Sequence, residues 1–261
     1  MILLFLFVIG LAIGSFSNVL IDRLANGESI MGRSHCDYCN RTLSAIDLIP
    51  VVSFIALKGR CRTCKKKLSW QYSAIELLMG AVFVGTYLWV TATSGPIDMP
   101  REALILAAWL GIMTSLIVIL VTDAKYQIIP DSMQIALLVW SSLLLVAEGK
   151  LLTHPFVYIA AGLCTLAPIL ALHVITKGKG MGFGDVKFAF IMGFLLGIGK
   201  GFIALYIGFI VGAIVGVVLM VFGTKKLKSR IAFGPFLVIG LLTMLIAGDP
   251  ILSAVRRWYS I

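Results

Sequence analysis

The chain has 261 residues, of which 60% are hydrophobic and 13% are charged, and its mean hydropathy is +1.03. Soluble domains average about 45–50% apolar and about 25% charged residues, so this composition excludes a soluble enzyme, a disordered protein and a secreted disulfide scaffold. The net charge of +10 would favour a nucleic-acid partner in a soluble protein, but membrane proteins carry excess lysine and arginine in their cytoplasmic loops. We therefore expect an all-α polytopic membrane protein that lies in a lipid bilayer and binds no nucleic acid.

Eight apolar stretches are candidate membrane-spanning helices, although the sixth is short for a span of roughly 20 residues. They cover about 2–21, 72–92, 102–122, 132–147, 155–175, 187–199, 201–223 and 231–248. The first stretch lacks the basic segment that opens a signal peptide, so we expect it to be a retained span. We place the boundary between the sixth and seventh stretches at Lys200.

The distribution of basic residues predicts the orientation. An even number of spans places both termini on one side of the membrane. Seventeen of the 22 Lys and Arg residues then fall on one face, in the loops 22–71, 124–131, 176–187 and 224–230. The positive-inside bias makes this face cytoplasmic and places both termini outside the cytoplasm.

Three regions follow from this pattern. Residues 1–92 hold the first two spans and the large cytoplasmic loop 22–71. Residues 102–248 hold the remaining spans, and residues 249–261 form a short extracytoplasmic tail. The expected fold class is therefore an all-α protein of about eight transmembrane helices, with a large cytoplasmic loop between the first two.

The large loop carries two CxxC pairs, Cys36/Cys39 and Cys61/Cys64, which are separated by 21 residues. Two such knuckles supply the four thiolates of a tetrahedral zinc site, which would be structural because all four ligands come from the protein. Disulfides are disfavoured in the reducing cytoplasm, and a redox CxxC usually occurs once, but iron also fits four sulfurs. Metal binding can supply folding energy to a loop that has little core of its own.

Five acidic residues remain after those in loops and at outer span ends are set aside: Asp22, Glu76, Asp123, Asp131 and Asp185. Asp123 ends a long apolar run, and Asp185 follows the glycine-rich loop 178–184 and opens the next apolar run. Two carboxylates at one site can share a proton, so that one activates water while the other polarises a carbonyl. The loop glycines permit positive φ angles and close approach of a substrate backbone. Taken singly, each aspartate could instead be a solvated span end or the partner of Lys125 or Lys187.

Six different segments follow one another in a characteristic order between about residues 10 and 240. They are Gly14-Ser15-Phe16-Ser17-Asn18-Val19 with Arg23, the double CxxC, Glu76-Leu77-Leu78 with Gly80, Asp123 with Ile129-Pro130-Asp131, Gly182-Phe183-Gly184-Asp185-Val186-Lys187, and Phe233-Gly234-Pro235-Phe236-Leu237. This set resembles the type IV prepilin peptidases, which belong to the GxGD class of membrane aspartic proteases. Ser73 and Ala232 stand where the family often has proline, and neither departure removes a reactive group.

The resemblance implies that Asp123 and Asp185 are the catalytic pair. It implies that a prepilin or pseudopilin is cleaved on the cytoplasmic side of the bacterial inner membrane, after the glycine that ends a short basic leader. Members with the cysteine-bearing loop commonly also N-methylate the new amino terminus with S-adenosylmethionine, although the sequence shows no soluble Rossmann pattern for this cofactor.

The candidates for binding the substrate or orienting its amine are Gly182, Gly184, Lys187, Glu76, Asn18 and Asp22. The last three could instead make interhelical hydrogen bonds. We expect Asp131, which follows Ile129-Pro130, to cap the next span.

Three other functions stay open at this stage. A GxGD intramembrane protease with a different substrate would keep both aspartates. A transporter would place its charged residues near the membrane midplane, often in paired repeats, and we find no repeat. A zinc-stabilised membrane scaffold would need the four cysteines but not both aspartates.

Overall fold

The computed structural model describes residues 1–36, 38–95, 97, 100–222 and 232–259, and nearly all of its regular structure is helical. Within these ranges only two isolated β-bridges occur, His35 with Thr42 and Arg60 with Lys67. The all-α prediction is therefore confirmed. The predicted loop 224–230 and the last two residues of the predicted tail lie outside the described residues.

The chain forms two compact units, Met1–Thr114 and Ser115–Ile261, whose boundary falls inside one helix. The first unit contains α1 (Ile2–Ala25), a short 3₁₀ helix (Ala45–Leu48), α2 (Val52–Ala56), α3 (Gln71–Ser94) and the first part of α4 (Pro100–Tyr126). The second unit contains the end of α4, α5 (Asp131–Ala147), α6 (Lys150–Thr153), α7 (Pro155–Ile175), α8 (Phe183–Leu196), α9 (Ile198–Val221) and α10 (Gly234–Tyr259).

Six of the described helices are long and apolar enough to cross a membrane, namely α1, α3, α4, α7, α9 and α10. The other two predicted spans form shorter helices, α5 with 17 residues and α8 with 14. The break between α8 and α9 lies at Gly197 rather than at the predicted Lys200, which is inside α9. Gly197 adopts φ +79°, a left-handed conformation that glycine reaches without a Cβ clash.

The first unit is built on close packing of α1 against α3. A Cβ atom added to Gly14 of α1 would lie 2.7 Å from the Cα atom of Glu76 of α3. The same is true one turn away, where Gly10 faces Gly80. Small residues let two helix backbones approach in this way within a membrane, and here the approach brings Glu76 beside the polar end of α1.

The second unit is organised around α8, which packs against α5, α7, α9 and α10. Nine of its 14 residues are buried, including Asp185 in its first turn. Gly193 makes the contact with α7 possible, because a Cβ atom there would lie 2.4 Å from the carbonyl oxygen of Ala161. A helix enclosed by neighbours on most sides holds its first turn, and therefore Asp185, in a fixed position.

Candidate active site and metal site

Asp123 and Asp185 lie together in the second unit, as the sequence predicts. Asp123 is in the last turn of α4 and is 5% exposed, and Asp185 is in the first turn of α8 and is 8% exposed. The two side chains are close enough for the charge of Asp123 to act on the carboxyl group of Asp185. Neither aspartate forms a salt bridge among the described residues, so neither is explained as half of an ion pair.

Each aspartate accepts a hydrogen bond from the backbone N–H of a glycine. The N–H of Gly234, the first residue of α10, donates to Oδ2 of Asp123 at 2.7 Å. The N–H of Gly182, which precedes α8, donates to Oδ2 of Asp185 at 3.0 Å. Both carboxyl groups therefore lie at a helix N-terminus, where free N–H groups and the helix dipole favour negative charge.

The glycines of this site are required for space rather than for backbone conformation. A Cβ atom on Gly234 would lie 2.6 Å from Oδ2 of Asp123, and one on Gly182 would lie 3.2 Å from Oδ2 of Asp185. Gly184 faces Ile129, with 3.2 Å between its hypothetical Cβ and the Cβ of that residue. Gly178 of the glycine-rich loop adopts φ +73°, as its lack of a side chain permits, whereas Gly182 has φ −71°, so at Gly182 the missing side chain serves only to leave room for the aspartate.

Lys187, a predicted substrate-binding residue, forms an ion pair with Asp131 at 2.8 Å. The ammonium group of Lys187 also lies 5.2 Å from the centre of the Phe183 ring. Asp131 is in the first turn of α5, which has no side-chain cap hydrogen bond. The expectation that Asp131 caps this helix is therefore not met, because its carboxylate faces Lys187 of α8.

Gln134 is a residue of this site that the sequence analysis did not single out. It is 3% exposed, and neither atom of its amide has a hydrogen-bond partner among the described residues. A Cβ atom on Gly184 would lie 3.7 Å from Nε2 of Gln134, so the amide is next to the glycine loop. A glutamine inside an apolar stretch does not indicate a catalytic role in the sequence, so only its burial next to Gly184 in the structure makes Gln134 a candidate site residue.

The remaining predicted substrate-binding residues, Asn18, Asp22 and Glu76, come together in the first unit. Nδ2 of Asn18 donates to the carbonyl oxygen of Tyr72 at 3.0 Å, and the Tyr72 hydroxyl donates to Oδ2 of Asp22 at 3.2 Å. These bonds join α1 to α3, as expected for interhelical contacts. Glu76 behaves differently, because its Oε2 accepts a 2.7 Å hydrogen bond from the N–H of Val51 in the loop before α2.

The four predicted metal ligands form one cluster, in which the Sγ atoms of Cys36, Cys39, Cys61 and Cys64 all lie within 4.8 Å of one another. All four are free thiols, and the sulfurs of Cys36 and Cys64 are 3.9 Å apart. Hydrogen bonds from the backbone N–H groups of Cys64 and Thr63 lower the pKa of the Cys61 thiol to about 6, which favours the thiolate that a metal ion binds. At Cys39 a backbone hydrogen bond from Arg41 lowers the pKa, but desolvation and hydrogen bonds with the other three cysteines raise it to about 11. The cluster can hold a metal ion.

The two knuckles have the same backbone geometry. In the first, the N–H of Cys36 donates to the carbonyl oxygen of Arg41, and Asn40 has φ +52°. In the second, the N–H of Cys61 donates to the carbonyl oxygen of Lys66, and Lys65 has φ +57°. Each turn directs its two sulfur atoms to the same side, so that the four sulfur atoms of the two turns surround one possible metal position.

Fold and site define a polytopic helical membrane protein with a buried aspartate pair and an N-terminal four-cysteine cluster. Two family models match the chain: Bacterial Peptidase A24 N-terminal domain over residues 8–90, and Type IV leader peptidase family over residues 110–217. The chain belongs to the type IV leader peptidase family.

Similar proteins cover nearly the whole chain. A Prepilin leader peptidase/N-methyltransferase of Bacillus subtilis (strain 168) is 30% identical over 95% of this chain and 95% of its own. A protein of the same name from Neisseria gonorrhoeae is 30% identical over 96% of this chain and 92% of its own. Another of that name, from Klebsiella pneumoniae, is 33% identical over 74% of this chain and 84% of its own. No solved structure matches the chain.

Proposed function

We propose that this protein is a bifunctional enzyme that removes the leader from prepilins or pseudopilins and then N-methylates the new amino terminus, with S-adenosylmethionine as the methyl donor. Family membership and the names of the relatives support both activities. The observation that carries the peptidase activity is the burial of Asp123 and Asp185 at two helix N-termini, within electrostatic reach of each other.

In this proposal Asp123 and Asp185 hydrolyse the peptide bond as an acid–base pair. Two carboxylates close together in a desolvated site do not both ionise readily, so the pair holds one proton between them. The ionised member takes a proton from water, whose oxygen attacks the scissile carbonyl carbon. The protonated member polarises the carbonyl, and a proton passes to the departing amine as the carbon–nitrogen bond breaks. The N–H groups of Gly182 and Gly234 fix the two carboxyl groups for these transfers.

We assign zinc to the cysteine cluster, in a structural role. Zn–S bonds of about 2.3 Å in a tetrahedron put the sulfurs about 3.8 Å apart, and the sulfurs of Cys36 and Cys64 are 3.9 Å apart. Among the described residues from 26 to 70, only Cys36 and Cys61 are buried. A segment with no apolar core of its own needs such a centre to fold.

We place the protein in the bacterial inner membrane as a multi-pass protein, with the cysteine loop and the aspartates facing the cytoplasm. The excess of Lys and Arg in loops 22–71, 124–131 and 176–187 supports this orientation. A membrane-impermeant thiol reagent should label Ser260→Cys in intact cells and should not label Ser34→Cys, each compared with the unmodified protein. The reverse pattern would overturn the orientation.

The peptidase is tested with purified protein in detergent and a prepilin peptide, with the products identified by mass. Loss of the leader mass reports cleavage, and a further methyl increment reports methylation. Asparagine can neither act as the base nor share the proton, so Asp123→Asn and Asp185→Asn should each lower cleavage by at least about a thousandfold.

Asp249→Asn provides the matched control, because Asp249 is exposed and pairs with Lys200 away from the site. It should cleave like the unmodified protein. Substantial cleavage by Asp185→Asn, at unchanged thermal stability, would refute the acid–base pair.

A further inference from the structure

The first unit encloses a cavity of about 290 Å³ between α1, the cysteine loop and the start of α3. Its polar wall contains Asn18, Asp22 and Glu76, and its apolar wall contains Leu48, Phe54 and Leu57 from the loop. Small-molecule sites in proteins begin at about 300 Å³ and combine apolar walls with a few convergent polar groups. The cavity has the size and composition of such a site, and the peptidase mechanism does not use it.

Asn18 lines this cavity, and its side-chain carbonyl oxygen is a buried acceptor with no hydrogen-bond partner among the described residues. The residue is 6% exposed, and its Nδ2 donates to the carbonyl oxygens of Gly14 and Tyr72 at 3.2 and 3.0 Å. These two acceptors fix the orientation of the amide, so Oδ1 is on the other side, where it has no partner among the described residues. A buried acceptor is normally satisfied, so Asn18 is a polar residue of the cavity wall whose hydrogen bonding is incomplete.

Glu76 adds a buried carboxylate that forms no ion pair among the described residues. It is 7% exposed, and its partners among the described residues are two neutral donors, the N–H of Val51 and the side chain of Ser15. A buried carboxylate is stable when a positive charge pairs with it. The cavity wall is therefore suited to a cationic ligand.

The hydrogen bond of Glu76 also holds the loop wall in a strained conformation. Val51 has φ +60° and ψ −47°, and the N–H of Val52 donates to the carbonyl oxygen of Pro50 across it. This is a γ-turn of the strained type, which a β-branched residue rarely adopts. Strain of this kind persists where surrounding structure enforces it, and it is concentrated at functional sites. Glu76 thus fixes the start of α2, which carries Ser53 and Phe54 of the cavity wall.

We propose that this cavity binds S-adenosylmethionine, with Glu76 facing its positive charge. The proposal rests on the methyltransferase activity proposed above and names the site of that activity. The ligand combines a sulfonium and an ammonium group, a carboxylate, ribose hydroxyls and an adenine ring. The cavity offers carboxylates in Glu76 and Asp22, the guanidinium groups of Arg23 and Arg41, and apolar side chains that can cover a ring.

The chemistry supplied by the bound donor is a methyl group on a positively charged sulfur. The new N-terminal amine loses a proton to solvent, its nitrogen bonds to the methyl carbon, and the electron pair of the broken carbon–sulfur bond stays on sulfur. The products are the methylated amine and S-adenosylhomocysteine.

Calorimetric binding of S-adenosylmethionine and of the unreactive product S-adenosylhomocysteine to the full-length protein in detergent tests the site without turnover. Glu76→Gln keeps an acceptor for the Val51 N–H but loses the charge, so it should weaken S-adenosylmethionine binding by about tenfold or more. S-adenosylhomocysteine lacks the sulfonium charge and should be weakened less. Glu148→Gln is the matched control, because Glu148 pairs with Lys150 in the second unit.

A second pair of variants tests the cavity without changing Glu76. Leu48 lines the cavity and is 40% exposed, whereas Ile46 of the same 3₁₀ helix is 65% exposed and does not line it. Leu48→Trp should fill the space and abolish binding, and Ile46→Trp should bind normally, with thermal stability recorded for both. Normal binding by Leu48→Trp and Glu76→Gln would overturn the proposed location.

The outcomes separate the location from the activity. If the unmodified protein methylates cleaved peptide while both cavity variants bind the donor normally, the location is wrong and the methyltransferase stands. If the unmodified protein neither binds nor uses the donor, the methyltransferase activity itself fails. If Glu76→Gln raises the KM for prepilin cleavage and leaves donor binding unchanged, the cavity binds the basic leader instead.

Discussion

The aspartate pair and the cavity both depend on buried carboxylates, but different kinds of structure hold them. Asp123 and Asp185 are fixed by backbone N–H groups at the ends of helices that pack on one another. Glu76 and Asn18 face a loop in which, between residues 26 and 70, only two described residues are buried, and both are cysteines. Helix packing alone can position the first site, whereas the second depends on a loop whose buried residues belong to the four-cysteine cluster that could hold a metal ion.

This difference fits the chemistry proposed for each site. Proton transfer in hydrolysis needs two groups held at fixed positions, which a helix enclosed by its neighbours provides. A cavity for a small ligand needs a wall of mixed character, including apolar and charged side chains that are remote in sequence. The loop supplies that wall because it returns from α1 to α3 across more than forty residues.

Apart from changes of the aspartates themselves, the largest loss of cleavage is expected when one methyl group is added beside the aspartate pair. In Gly234→Ala the new Cβ would lie 2.6 Å from Oδ2 of Asp123, so the carboxyl group or the start of α10 must move. Misplacement of about 1 Å costs roughly 100-fold in rate, and we expect a loss of that size in cleavage.

Binding of S-adenosylhomocysteine to Gly234→Ala should be unchanged. Gly199→Ala is the matched control, because the nearest atom to its Cβ would be 3.8 Å away. Equal loss of cleavage in both variants would contradict the requirement for space at Gly234.

Metal removal should act on the other site. After zinc is chelated from the reduced protein, or in Cys61→Ser, the loop loses the cluster that contains the only buried residues among those described between 26 and 70. If about a tenth of the molecules keep the folded loop, the apparent affinity for S-adenosylmethionine falls about tenfold. Cleavage should fall by a smaller factor, since Gly182 and Gly234 belong to the same unit as the aspartates.

Elemental analysis before and after chelation should give about one zinc per chain and then none. A protein purified without any metal, or one whose cleavage falls further than its donor binding, would contradict this division of roles.

The sequence singles out the acidic residues and the cysteines that the structure brings together, but not the contacts that hold them. The aspartates, the cysteine pairs and the helical class follow from acidic residues at span ends, CxxC spacing and apolar stretches. The sequence marks Gly234 only as part of a family segment, because no residue type identifies a backbone N–H that donates to a side chain 111 positions away. The hydrogen bond from the Val51 N–H to Glu76 could not be predicted from the sequence either, since valine is not a residue type that indicates a strained turn.

Two other differences have the same origin in tertiary packing. Lys187 stays a candidate for substrate binding, but nothing in the sequence indicates that α5 brings Asp131 to it. The boundary of α8 lies at Gly197 and not at Lys200, because a glycine with positive φ ends a helix, whereas a lysine can be accommodated within the first turn of α9.

Gln134 offers a way to sharpen the description of the aspartate site. Its amide is buried without a partner among the described residues, so Gln134→Leu should leave thermal stability unchanged or raise it. If the amide hydrogen-bonds the substrate backbone beside Gly184, the same variant should lower kcat/KM for cleavage by roughly three- to tenfold. A loss of stability together with unchanged kinetics would instead make Gln134 a structural residue.

The smallest effect is expected at the acidic residue nearest to the pair in sequence. Asp131 is exposed, and its ion pair with Lys187 joins two surface side chains. Exposed ion pairs contribute about 0.2–1 kcal/mol, so Asp131→Asn should lower cleavage by no more than about fivefold. The residual effect should shrink as salt is raised, because salt screens the pair. If Asp131→Asn lost activity as completely as Asp185→Asn at equal thermal stability, the catalytic pair would have been assigned to the wrong acids. An exposed carboxylate that pairs with lysine would then be as essential for cleavage as a buried one.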